Sequence, residues 1–207
     1  MPRAGLDAAA VVAAGAALAD EIGFAELTMG RLAEQVGVRT PSLYKHVAGQ
    51  DDLTRRIAAL ALAEVAEAVG AAVQGLAGRD ALAAAAAAFR DFVVAHPGRY
   101  AATIGIRPTG PDDPVVLAGL RVLAAFQSVL AGYGIAPAEA DHALRTVRSA
   151  LHGFAILQAS GGFQWSADVD ESFAWLVDLL DRGLRGAGGQ PVVSTAATAS
   201  SAPGTRA

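Results

Sequence analysis

The sequence contains no cysteine and a single lysine, and charged residues make up only 17% of its 207 positions. Without cysteine, the chain has no disulfide framework, no thiolate nucleophile and no cysteine-ligated zinc site, and it suits a reducing cytoplasm. The formal net charge of −4 at pH 7 argues against a protein that coats nucleic acid by its overall charge. A local basic patch is compatible with this average, because net charge does not describe how charges are distributed.

The residue spacings that mark the commoner enzyme classes are also missing. The sequence has no paired metal ligands, no phosphate-binding P-loop, no Gly-x-Ser-x-Gly elbow and no nucleophile beside a base. The four histidines have no spacing typical of a metal site; they are His46, His96, His142 and His152. We therefore expect no enzymatic activity and no metal or cofactor. Turnover of a candidate ligand would instead favour an all-α enzyme.

Two apolar segments resemble membrane signals without meeting their requirements. Residues 8–19 follow Arg3 as the core of a secretory signal would, but Asp20 and Glu21 come directly after them and the helical pattern continues. Residues 81–88 are too few to cross a bilayer. We expect a soluble, cytoplasmic protein that does not bind membranes.

Alanine and other apolar residues dominate what is present, with 53% of the chain hydrophobic. Alanine is the strongest helix former, and apolar residues recur at helical spacing in successive segments, so we predict an all-α fold. The expected helices cover residues 7–23, 29–36, 40–47, 51–76, 80–95, 115–133, 138–159 and 170–184, with a break at 96–98 and a proline-rich loop at 107–114. Residues 187–207 are small and polar, which predicts a disordered tail.

The most informative segment is residues 28–53, TMGRLAEQVGVRTPSLYKHVAGQDDL. It reads as two short helices joined at Gly37, a residue that suits the left-handed backbone after a helix. Apolar residues are spaced so that the two helices pack on each other and on the first helix. The second helix keeps an outward set of positive, hydroxyl and aromatic side chains, which is the chemistry of a major-groove reader: Arg39, Thr40, Ser42, Tyr44, Lys45 and His46.

Residues 8–57 resemble the DNA-binding domain of TetR-family regulators. The resemblance lies in the Leu-Thr-Met at 27–29, the Val-Gly-Val turn at 36–38, the Ser-Leu-Tyr-Lys-His-Val at 42–47 and the Asp-Leu at 52–53. It implies a regulator that binds a double-stranded DNA operator as a homodimer. Repression, rather than activation, is assumed from the habit of the family.

The resemblance also assigns roles to individual residues. Thr28 would present its hydroxyl and a helix N-terminus to a phosphate. Arg39, Thr40, Pro41 and Ser42 would lie nearest the base edges, with Arg39 the candidate for guanine, since a guanidinium bonds two acceptors at once. Tyr44, Lys45 and His46 would meet phosphates and sugars. The plainer alternatives are that Tyr44 packs inside and that His46 completes a helix end.

The segment departs from the family pattern at two positions. The family usually has a capping serine where this chain has Arg39, and a phosphate-binding lysine where it has Gln50. The missing lysine is expected to weaken backbone affinity, with Arg31, Arg55 and Arg56 as candidates to compensate; all three are otherwise read as surface charge. A helical interaction module that has lost DNA binding is therefore a second alternative.

The C-terminal half resembles one TetR subgroup, marked by a His-Gly pair in the penultimate helix, an aromatic after a Gly-rich break and an early Phe in the last helix. His152-Gly153, Phe163 and Phe173 fit that pattern. Both helices are apolar on more than one face, which indicates burial on several sides. A four-helix dimer interface is expected, with a monomeric core helix as the alternative. Its candidate residues are Leu144, Ala150, Gly153, Leu157, Phe173, Trp175 and Leu179.

A ligand pocket is expected among the middle helices, because ligand sites combine apolar walls with a few polar groups. The candidate lining residues are Phe89, Phe92, His96, Tyr100, Phe126, Arg148, His152 and Phe154; each aromatic is otherwise a core residue, and His152 a packing histidine. The predicted organisation is a helix-turn-helix domain in a three-helix bundle at 1–50, a helical ligand-binding and dimerisation domain at 51–186, and the tail. A small molecule would release the protein from its operator.

Overall fold

The computed structural model describes residues 6–188, and within them it is entirely helical, which confirms the predicted all-α class. The helices are α1 (Ala8–Ile22), α2 (Met29–Gln35), α3 (Thr40–Leu43), α4 (Gln50–Ala72), α5 (Gly78–Ala95), α6 (Pro97–Ala101), α7 (Pro114–Ala131), α8 (Pro137–Ala159) and α9 (Val169–Gly188), with a 3-10 turn at Phe24–Glu26. The predicted tail covers residues 187–207. Its first two residues, 187–188, are the end of α9, and residues 189–207 lie outside the described residues.

Polar side chains and one glycine fix where the N-terminal helices begin and end. The Asp7 carboxylate accepts a hydrogen bond from the Ala10 amide at 2.7 Å, and the Thr28 hydroxyl accepts one from the Arg31 amide at 3.2 Å. These caps satisfy amides that have no partner inside the helix. Gly37 has a φ of 70°, so the chain reverses between α2 and α3 at a conformation that costs glycine little.

Two sequence expectations are corrected at helix ends. Helix α5 ends at Ala95, where the break was predicted, but residues 97–101 then form a further helix, α6, that the sequence did not predict. Pro97 lies in its first turn, where proline fits because the first turn needs no amide donor. The predicted helix at 40–47 is shorter, since α3 ends at Leu43 and a turn follows it. Ends of short helices are the least constrained part of a helical pattern.

Two hydrophobic cores lie along the chain, and α4 contributes to both. Leu53, Ile57 and Ala58 join the core of α1–α3, whereas Val65 and Val69 join the core of α5, α7, α8 and α9. The N-terminal core therefore extends into α4, beyond the predicted boundary at residue 50. That residue 50 separates a DNA-binding domain from a ligand-binding and dimerisation domain stays a prediction.

Helix α7 has the length and apolarity of a membrane span, with a mean hydropathy of 1.7 over its 18 residues. Helices in the core of a soluble protein meet the same description. Here α7 packs along α4 and buries Phe126, Val129 and Leu130 in the C-terminal core.

Candidate DNA-binding surface and ligand cavity

The helix-turn-helix is held together from beneath by fully buried aliphatic side chains. Leu32 of α2, Leu43 of α3 and Val47 after α3 expose 2% or less of their surface. Since Leu43 anchors α3 inward, the residues around it are turned toward solvent. The spacing of these apolar residues in the sequence predicted that the two short helices pack on each other through them.

The outer face of α3 carries the predicted reading residues. Arg39, Pro41, Tyr44 and Lys45 are exposed, and Tyr44 shows 55% of its surface. The rest of the set is half-buried (Thr40, Ser42 and His46), and Thr28 is exposed at the start of α2. Within residues 6–188, neither Arg39 nor Lys45 forms an ion pair. The surface therefore offers two cations and an aromatic ring to a partner.

The positions considered as replacements for a phosphate-binding lysine are engaged elsewhere. Arg31 pairs with Glu26 at 3.0 Å and Arg56 pairs with Asp52 at 2.9 Å. The third arginine, Arg55, pairs with Asp113.

Gln50 also makes a contact inside the chain rather than presenting a free side chain. Its amide nitrogen donates to the Leu27 carbonyl at 3.0 Å, and Leu27 directly precedes the cap of α2. The side chain at position 50 thus ties the start of α4 to the helix-turn-helix, a role that requires no positive charge.

A cavity of about 280 Å³ lies between α4, α5, α6, α7 and α8. Its walls are mostly apolar: Leu62, Val65, Phe89, Tyr100, Thr103, Ile106, Pro108, Val115, Val116, Gly119, Leu120, Val122, Leu123, Phe126, Leu144, Arg148 and Leu151. The segment between α6 and α7 closes one side. Arg55 holds this segment to α4, because its guanidinium donates to the Arg107 carbonyl at 3.1 Å as well as pairing with Asp113.

Half of the predicted pocket residues line this cavity; these are Phe89, Tyr100, Phe126 and Arg148. The other four positions are corrected. Phe92 packs on His96, with ring centroids 5.0 Å apart, and the His96 ring is hydrogen-bonded to Asp20 of α1. His152 lies behind Tyr100, and Phe154 belongs to a separate aromatic group with Phe163 and Phe173. Residues of the 102–113 segment also line the cavity. The sequence did not predict them, because this segment has no periodic pattern of apolar residues.

Tyr100 and His152 form a neutral pair behind the cavity wall. The Tyr100 hydroxyl and the His152 Nδ1 are hydrogen-bonded at 2.9 Å. Burial raises the pKa of Tyr100 to about 12. Burial and then the charge of Arg148 lower the pKa of His152 below its usual 6.5. Both groups are therefore uncharged at neutral pH.

The lowered pKa of His152 predicts a pH-dependent stability. The folded chain binds this proton less readily than the unfolded chain, so the free energy of unfolding falls as the pH drops through 6.5 and the loss is complete below the folded-state pKa. His152→Gln is expected to flatten the dependence between about pH 7.5 and about pH 5, as measured by urea unfolding. His142→Gln, on the exposed side of the same helix, is the control. Equal slopes in wild type and His152→Gln would contradict the assignment.

An ion-pair network joins the cavity wall to the helix-turn-helix domain. Arg99, next to Tyr100 in α6, donates to the Asp20 carboxylate of α1 at 2.7 Å and pairs with Glu64 of α4 at 2.9 Å. The Arg99 amide bonds the same Asp20 side chain at 2.7 Å. The sequence reasoning missed this network; Pro97, as a helix-starting residue, was the signal that a helix begins here.

The candidate dimer residues divide into an exposed and a buried group. Leu157, Trp175 and Leu179 are exposed on α8 and α9, with Trp175 showing 63% of its surface. Ala150 and Gly153 are half-buried. Leu144 and Phe173 are instead buried in the chain's own C-terminal core, which corrects their placement at a surface.

Comparisons with known proteins agree with this architecture. Residues 11–57 match the family of bacterial regulatory proteins called tetR, and residues 82–180 match a tetracycline repressor-like C-terminal domain. An HTH-type transcriptional regulator of Mycobacterium tuberculosis is 36% identical over 166 residues, which cover 80% of this chain and 75% of that protein.

Solved structures of TetR-type proteins have the same fold. A crystal structure of BioQ with its natural double-stranded DNA operator is 27% identical, with a TM-score of 0.65 over 87% of this chain and 99% of that one. A TetR variant from Acinetobacter baumannii in complex with minocycline is 27% identical, with a TM-score of 0.69 over 90% and 100%. The chain therefore belongs to the TetR family of DNA-binding transcriptional regulators, a family of regulators rather than of enzymes.

Proposed function

We propose that this protein is a sequence-specific repressor, which binds its operator as a homodimer and is released when a small molecule fills the cavity. The observation that carries this proposal is the surface formed by α3 and the residues that flank it, where Arg39 and Lys45 are exposed without an intramolecular ion pair among residues 6–188. A face of this kind suits a duplex, whose phosphates and base edges supply the missing partners.

Each residue of the surface takes a distinct role in this proposal. Arg39, Thr40, Pro41 and Ser42 read base edges at the start of α3, with Arg39 on guanine. Tyr44, Lys45 and His46 hold the phosphate and sugar backbone. The Thr28 hydroxyl accepts from the Arg31 amide and keeps its own O–H free to donate to a phosphate. The operator complex of BioQ supports DNA as the partner.

Dimerisation follows from the exposed apolar side chains of α8 and α9. Large apolar residues that cluster on a surface usually mark an interface, and Leu157 of α8 and Trp175 and Leu179 of α9 are all exposed. The small Ala150 and Gly153 would let a partner helix approach. A twofold pair sets the two α3 helices about 34–36 Å apart, one turn of DNA. His152-Gly153, Phe163 and Phe173 support membership of the subgroup described above.

Ligand release works through a shift between conformers. A ligand that fits better when the two α3 helices are further apart draws the dimer away from the DNA-binding spacing. Each partner then weakens the other by about 1–3 kcal/mol. Helix α4 joins both cores, and α6 adds a second link, because Tyr100 lines the cavity while Arg99 holds Asp20 of α1. The complex of a similar TetR protein with minocycline supports a small molecule as the ligand.

The experiment uses the purified full chain in a buffer with the ionic strength of cytoplasm, the compartment in which we expect the protein to act. Labelled duplexes that tile the DNA on both sides of its own gene are titrated with protein and followed by fluorescence anisotropy, and light scattering gives the mass of the bound form. We expect one duplex to bind at least about a thousandfold more tightly than its scrambled counterpart, as a dimer. Uniform weak binding would overturn the proposal and favour an interaction module without DNA specificity.

A further inference from the structure

Among residues 6–188, Arg148 is the sole charged side chain that lines the cavity. It lies on α8 and is also exposed to solvent, which places it where the cavity opens. Within residues 6–188, no carboxylate forms an ion pair with it and no hydrogen bond engages its guanidinium. Arg55, Arg79, Arg90 and Arg99, by contrast, each pair with a carboxylate.

The other polar groups of the cavity do not balance this charge. The Thr103 hydroxyl donates to the Tyr100 carbonyl at 2.7 Å, and the Tyr100 hydroxyl is bonded to His152. The lowered pKa of His152 keeps its imidazole neutral, so the pair adds no second positive charge. The cavity thus combines apolar walls with one cation at its opening.

We propose that the ligand of this cavity is a small organic acid, with its carboxylate on Arg148 and its apolar body against Phe89 and Phe126. The proposal rests on the proposed function only in taking this cavity as the ligand site. A guanidinium binds a carboxylate through two parallel hydrogen bonds. An amine at the same place would face Arg148 as a like charge, so the site selects against cations.

The dimensions of the cavity limit the body of the acid. Its volume of about 280 Å³ lies just below the range of about 300–1,000 Å³ that is usual for ligand sites. The ring of Phe89 meets Phe126 and Tyr100 edge to face, with centroids 6.2 Å and 5.7 Å apart. A medium-length acyl chain or a bicyclic aromatic acid suits this space better than a long lipid or a polycyclic drug.

The test measures binding directly, by isothermal titration calorimetry on the full chain without DNA. The probes are octanoate, octan-1-ol and octylamine, which share a body and differ in charge, and the pair 2-naphthoate and 2-naphthamide. We expect at least one acid to bind about tenfold or more tightly than its neutral and cationic counterparts. Arg148→Gln is expected to remove this preference, whereas Arg145→Gln, an exposed arginine of α8 that does not line the cavity, keeps it.

Two results would overturn the proposal. One is the lack of any preference for the acids, including failure of all probes to bind; the other is an unchanged preference in Arg148→Gln, with its melting temperature showing that the variant is folded. Because the titration contains no DNA, its result does not depend on whether an operator is found. A protein that binds its operator can still fail this test, so failure of the ligand proposal is distinguishable from failure of the proposed function.

Discussion

Arg39→Ala is expected to remove most of the discrimination between the operator and a duplex altered at the contacted base pair. Arg39 is exposed at the first position before α3, and its side chain makes no capping bond to the helix. It is therefore free to reach two acceptors of one guanine, a contact worth about 1–3 kcal/mol of discrimination. Fluorescence anisotropy with the two duplexes, at one salt concentration, measures the loss as a fall in the affinity ratio.

Lys45→Ala is the matched comparison, because Lys45 lies on the same exposed surface and is assigned to phosphate. Its loss is expected to weaken binding to all duplexes equally and to reduce the slope of log affinity against log salt by about one. The specificity ratio should stay at the wild-type value. If both variants lose the same specificity, or if Arg39→Ala changes only the salt slope, the division of roles is wrong.

Gly98→Ala is expected to displace α6 from α1 and to destabilise the protein by about 1–3 kcal/mol or more. A Cβ at this position would lie 1.8 Å from the Ala19 carbonyl oxygen and 2.1 Å from the Ala19 carbonyl carbon. These are backbone atoms, so the clash is not relieved by a side-chain rotation and one helix must move. The movement pulls Arg99 away from Asp20, and ligand and DNA should then affect each other less.

Urea unfolding measures the stability of this variant, and DNA titrations with and without a bound ligand measure the coupling. Gly70→Ala is the control, since it replaces a helical glycine in α4 with nothing within 4 Å of the new methyl group; a gain of about 0.5–1 kcal/mol is expected there. A Gly98→Ala variant as stable as the wild type, with unchanged coupling, would show that α6 does not rest on α1 as the structure has it.

The helix-turn-helix could be predicted from sequence because its signals are local. Thr28 lies one residue before a helix and caps it, and Gly37 stands where the backbone must take a positive φ. The buried leucines follow the helical repeat. Leu43 is buried beneath α3, whereas Arg39 before the helix and Lys45 after it are exposed.

The ligand cavity could be predicted only in part, for physical reasons. Phe89 and Phe92 are both aromatic residues of α5, three positions apart, and the sequence does not distinguish the one that lines the cavity from the one that packs on His96. The lining residues of the 102–113 segment belong to no periodic pattern. Charge pairs across distant segments, such as Arg99 with Asp20, leave no trace in local spacing.

The amino-acid order alone determined the helical class, the helix-turn-helix and the family, because caps, turns and apolar periodicity act over a few residues. Only the packing of helices distant in the chain decided that Arg148 stands without a carboxylate at the cavity, that Leu144 and Phe173 are buried, and that α6 rests on α1. Those features depend on which surfaces meet when α4 brings two cores together, and that is a property of the folded chain as a whole.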